Sequence, residues 1–162
     1  MLAIAAIAFA LGGTAVSSVE TLPACRAASV SIPEAWKTIG AQGRVQFRIP
    51  PDMQETHDPK LGCVHGCEAW SRGTFRVVVA HGIWGVGSFD DEWLARACAE
   101  TRGTLRVVLM PSEEGKKHVV VVWPVNDTST QSTNDILLNV QWTDPTDEAD
   151  AKKVIASLTA KR

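Results

Sequence analysis

No charged residue precedes Glu20 in this chain of 162 residues, although 21% of the whole is charged. Other absences set its limits. Sixteen Lys and Arg against eighteen Asp and Glu leave a net charge of −2, which excludes the broad positive field of a nucleic-acid binder. The longest apolar run, Leu2 to Leu11, falls short of the ~20 residues that a membrane-spanning helix needs. Gly82, Gly85 and Gly87 are spaced G-x-x-G-x-G, which is not the dinucleotide fingerprint. Gly85-Val86-Gly87-Ser88-Phe89 is not the G-x-S-x-G turn of a hydrolase nucleophile. No internal repeat or low-complexity tract is read. An ordinary globular composition and length predict one domain.

The charge-free start reads as an export signal. The apolar run is followed by Gly12-Gly13-Thr14 and then by Ala15-Val16-Ser17, a small-x-small cleavage site. Residues 1–17 are the predicted signal, 18–34 an extended segment and 35–162 the folded domain. Leu22-Pro23-Ala24-Cys25 also fits a lipid-anchoring sequence, with Cys25 as the acylated residue. The expectation is a periplasmic or extracellular protein that does not span the membrane once processed.

Export makes disulfides the default state of the cysteines. Cys25, Cys63, Cys67 and Cys98 allow three pairings, and spacing leaves all three open. The alternative chemistry lies in the same region. His57, Cys63, His65 and Cys67 are soft ligands of the kind that zinc and copper take, and they mark a metal-handling or redox loop as the second reading. Cys63-Val64-His65-Gly66-Cys67 matches neither a zinc-finger spacing nor the haem-attachment sequence, so no cofactor is expected.

From Trp36 onward, short alternating segments predict strands. Val45, Phe47 and Ile49 share one face of Arg44 to Ile49, which Pro50-Pro51 ends. Glu68 to Arg72 and Phe75 to Ala80 form a hairpin about Gly73-Thr74. A helix is predicted from Ser88 or Asp90 to about Arg102, with Trp93, Leu94, Ala97 and Cys98 on one stripe and Gly103 as its stop. Strands follow at Leu105 to Met110, His118 to Trp123 and Asp135 to Trp142. The second is apolar on both faces and belongs inside a sheet. A last helix starts near Asp144 or Thr146 and buries Ala151, Val154, Ile155 and Leu158. The order ββ-ββ-α-ββ-β-α describes an α+β domain, an antiparallel sheet of about six or seven strands with helices against it.

Val45-Gln46-Phe47-Arg48-Ile49-Pro50-Pro51 early and Ile155-Ala156-Ser157-Leu158 late carry a likeness beyond order. With its F-x-x-P-P corner and I-x-S-hydrophobic helix end, the chain resembles the PsbP-like fold between about Trp36 and Leu158. That group includes the extrinsic photosystem II protein and bacterial envelope lipoproteins. The resemblance implies a binding or assembly domain and brings no catalytic residue with it.

The residues themselves agree that chemistry is sparse. His81, beside the glycine loop, is the best single histidine, and no nucleophile or acid is placed with it. Arg44 and Arg48 share a strand face, and Arg76 joins them if the strands pair in register, forming a patch for carboxylates or phosphates. Trp84, in the glycine loop, is a candidate contact residue. The predicted partner is a protein or small ligand of the cell envelope, and not nucleic acid.

Overall fold

The computed structural model describes residues 22–25, 30–41, 43–57, 67–81, 95–110, 117–124 and 136–161. Among them are ten strands. β1 (Lys37–Ala41), β2 (Val45–Ile49) and the two-residue β10 (Thr159–Ala160) form a small sheet in the order β1-β2-β10. The others are β3 (Gln54–Glu55), β4 (Cys67–Arg72), β5 (Phe75–His81), β6 (Cys98–Arg102), β7 (Leu105–Leu109), β8 (Lys117–Pro124) and β9 (Ile136–Gln141). They make a seven-stranded sheet in the order β3-β4-β5-β9-β8-β7-β6, every pairing antiparallel. An α-helix, α1 (Glu148–Ala156), follows a 3-10 turn at Pro145–Asp147.

Alternation in the sequence accounts for the core. Val45, Phe47 and Ile49 of β2 point inward, as do Ile136, Leu138 and Val140 of β9, and all six are buried. Ala151, Val154 and Ile155 of α1, with Leu158 just beyond it, complete the contact. The small sheet and α1 thus cover one face of the large sheet, with Phe47 edge-on to Trp70 at 5.6 Å between ring centroids. β8 lies between β9 and β7, inside the sheet as its unbroken apolar sequence requires. The architecture is therefore mixed α and β, mostly antiparallel sheet.

Two expectations are corrected. The helix predicted to reach Arg102 does not: Cys98–Arg102 is β6, paired with β7. Gly103 has φ 62°, the left-handed conformation that ends helices but equally opens a two-residue hairpin turn. Here it serves the hairpin, so the order includes an extra strand. The earlier part of that predicted helix, with Trp93 and Leu94, lies outside the described residues.

The second correction is that the chain does repeat. Arg72-Gly73-Thr74-Phe75-Arg76-Val77-Val78 recurs thirty positions later as Arg102-Gly103-Thr104-Leu105-Arg106-Val107-Val108. The two copies occupy equivalent hairpins. Ser71 opposite Arg76 corresponds to Thr101 opposite Arg106, and Gly73 (φ 57°) to Gly103. The symmetry continues into the sheet centre, where Leu138 faces Val120. A two-fold axis through the sheet at that pair carries Val77 opposite Val140 onto Val107 opposite Val122. It also exchanges β9 with β8.

Even the edges correspond. Ala69 accepts a hydrogen bond from Thr56 N–H (2.8 Å) just past β3. Its counterpart Ala99 donates to Pro23 O (2.9 Å) and accepts from Cys25 N–H (3.1 Å). The predicted extended segment therefore lies parallel along the outer edge of β6, where Ala24 bridges Ala99. A disulfide between Cys25 and Cys98 fixes it there.

Candidate functional site

The repeated hairpins place two equivalent arginines, Arg72 and Arg102, at opposite ends of α1. Arg72 serves the N-terminal end. Its Nη1 donates to both carboxylate oxygens of Asp52 (3.2 Å each), and Nη2 donates to Asp147 and to Asp150 (3.2 Å). The guanidinium also stands 5.4 Å from the Phe75 ring centroid. Burial opposes its charge, but its hydrogen bonds to Asp147 and Asp150 and the nearby Asp52 outweigh burial and raise its pKa. Arg102 serves the C-terminal end. Its Nη1 donates to the carbonyls of Ile155, in the last turn of α1, and of Leu158, just beyond it, while Nε and Nη2 hold Glu100. One end of the helix thus offers carboxylates, which offset the positive end of its dipole, and the other offers carbonyls of its negative end.

The two hairpin tips differ in their cover. At the first, the corner after β2 brings Asp52 down onto Arg72. At the second there is an open groove of about 700 Å³ between the tip and the small sheet. Arg102, Gly103 and Thr104 form one wall; Gln46, Thr159 and Lys161 form the other, with Leu158 between them. Gln46 and Thr159 are opposite one another on β2 and β10. One step on, Lys161 N–H donates to Arg44 O (2.8 Å), so two cations face each other across these strands.

Chemically, this lining is suited to hydrogen bonding an acceptor-rich group. Among the described residues that line the groove, there is no carboxylate, histidine or cysteine, and hence no nucleophile–base pair. Its polar side chains are hydrogen-bond donors, two of them cationic: an amide, two hydroxyls, an ammonium and a guanidinium.

The expected arginine patch does not assemble as predicted. β2 pairs only with β1 and β10, and β5 with β4 and β9, so Arg76 belongs to a different sheet from Arg44 and Arg48. Arg48 is instead a structural clamp: its Nη2 donates to the carbonyls of Glu34 (2.6 Å) and Trp36 (3.3 Å). Of the three, Arg44 alone stands beside the groove, across from Lys161.

Nor does a metal centre form among the described residues. His57 is exposed after β3, and Cys67 is disulfide-bonded, so it has no thiolate to offer. Cys25 likewise shares its sulfur with Cys98, leaving none for a lipid thioether. Cys63, His65 and Trp84 lie outside the described residues, as does the side chain of His81.

Sequence reading missed Gln46, Arg102, Thr104 and Lys161. The signal that points to Arg102 and Thr104 is the repeated Arg-Gly-Thr, which marks a second hairpin once it is set beside the first. No family model matches the chain, and no curated protein or solved structure matches it significantly. No helix among the described residues is long and apolar enough to cross a membrane.

Proposed function

We propose that the chain is an exported, non-catalytic binding or assembly domain of the cell envelope, with the groove beside Arg102 as its binding surface. The observation that carries this reading is the bonding of the cysteines. Cys25, just after the signal-like start, is joined to Cys98 at the far edge of the sheet, and Cys67 is also in a disulfide. Such bonds persist in oxidising compartments and are rare in the cytosol. The groove supports the binding half of the reading, because its lining holds donors without any acid–base pair.

The PsbP-like resemblance belongs to the same proposal, and one contact supports it. The two motifs that carry the likeness touch: Arg48 N–H donates to Ser157 Oγ (2.7 Å), which in turn donates to Val154 O (2.7 Å).

Intact mass of the chain recovered after export tests the reading. The expected species begins after Ser17, carries no lipid and has no alkylatable thiol before reduction. Retention of Met1, an acylated Cys25, or four reactive thiols would overturn it.

A further inference from the structure

We infer that the groove takes a small molecule bearing carboxylate groups; this rests on the binding reading above and gives its ligand a chemistry. The argument starts from the internal symmetry. Arg72 and Arg102 are the same residue of two equivalent hairpins. At the first hairpin the chain supplies its own carboxylate from outside the hairpin and helix, Asp52, which lies on the guanidinium through both oxygens. At the second hairpin the carboxylate on the guanidinium is Glu100 of the hairpin itself, no carboxylate among the described residues reaches Arg102 from outside the hairpin and helix, and the groove opens there. What the fold places on Arg72 is therefore what the Arg102 side is built to receive from solution.

The donors agree. A guanidinium has five N–H groups, and four of those on Arg102 are engaged by Glu100, Ile155 O and Leu158 O. These bonds hold the side chain rigid at the groove wall and leave the fifth N–H, on Nη2. Lys161 adds a second charge from the opposite wall, on the exposed face of the small sheet. Its ammonium would lie 3.6 Å from a Cβ placed at Gly40, so it rests over β1 at a point where the strand carries no side chain. Gln46, Thr104 and Thr159 contribute neutral donors between the two cations. Among the described residues that line the groove there is no carboxylate, and the one beside it, Glu100, is already bound to Arg102. The volume lies within the range of small-molecule sites, about 300–1,000 Å³.

The test is a titration of the isotope-labelled exported chain, following the amide resonances of Gly103, Thr104, Thr159 and Lys161. Succinate and its neutral counterpart succinamide are the paired probes, with inorganic phosphate as a third. Succinate is expected to shift these four amides together, saturably and at least ten-fold tighter than succinamide. Lys161→Met should remove most of that ten-fold preference while leaving the unfolding midpoint unchanged. Equal binding of succinate and succinamide at the groove would overturn the carboxylate assignment and leave the groove as a binding surface. Phosphate binding tighter than succinate would also overturn it. If no probe moves the groove amides, or shifts spread over every surface lysine without saturating, the inference and the groove reading both fall.

Discussion

Removing the Cys25–Cys98 bond is expected to have two separable effects. The bond spans 73 residues, and a cross-link of that length restricts the unfolded chain by about 4 kcal/mol on the loop-entropy model. With a urea m value of about 2 kcal/mol/M, the Cys25→Ser/Cys98→Ser variant should unfold at a midpoint lower by about 2 M. The second effect is local. Without the bond, Leu22–Cys25 is held to β6 by two main-chain hydrogen bonds, each worth about 1 kcal/mol net. Ordering four residues costs at least that much, at about 1–2 kcal/mol per residue. The segment should therefore leave the edge in the native state. Ala99 N–H, which donates to Pro23 O, would then exchange by local opening without denaturant, while amides at the sheet centre would still need global unfolding and speed up only in step with the lost stability. Substitution is preferable to chemical reduction, which would also open the disulfide at Cys67. A midpoint shift under about 0.5 M with Ala99 still protected would refute the reasoning, since other contacts would then hold the segment.

Three further outcomes follow from named contacts. Ser157→Ala should cost about 1–3 kcal/mol in urea unfolding, because the part-buried Arg48 N–H loses its acceptor; a loss below about 0.5 kcal/mol would mean that water replaces the hydroxyl. Gly73→Ala and Gly103→Ala should each cost about 1–2 kcal/mol, and by nearly the same amount. Both glycines have positive φ and open space around a built Cβ, so conformation alone sets the penalty; unequal losses would show that the hairpins are not energetically equivalent. Asp144 accepts from the Thr146 N–H (2.9 Å) and hydroxyl (2.8 Å), which holds its carboxyl below the usual range. A lowered pKa stabilises the fold above the unfolded value and loses that contribution as pH falls through the folded one. Asp144→Ala should thus destabilise at pH 6 and converge with the parent chain in acid; a deficit that persists unchanged at low pH would contradict this cap.

Strict alternation made β2 and β9 legible, and a three-to-four spacing did the same for α1, because each buries a single face. The same rule failed at Cys98–Arg102. Trp93, Leu94, Ala97 and Cys98 continue a helical stripe into residues whose conformation is decided by pairing with β7 and by the bond to Cys25. A left-handed glycine punctuates helices and hairpins alike, so Gly103 did not separate the two. Arg48 was correctly placed off the core face of its strand, yet its guanidinium turns back onto carbonyls thirteen or so residues upstream, which periodicity does not reveal. The groove was hidden for a further reason. Its walls come from β2, the β6–β7 turn and the residues around β10, three segments that only tertiary folding brings together.

The closing of the small sheet bears on when this chain can fold. Arg48 and Ser157 are 109 residues apart, and β9 must arrive before the first hairpin has an inner neighbour and before the two halves of the large sheet join. The pairings of β5 and β8 with β9, of β2 with β10, and the contacts of α1 all await residues 136–161. Contacts of such long range make folding slow and late. Until then the inner edges of β5 and β8 are exposed to other chains, a hazard that favours escort by a chaperone. The same delay keeps the chain pliable during synthesis, which fits the proposed export, in which a polypeptide crosses a membrane before its cysteines are oxidised.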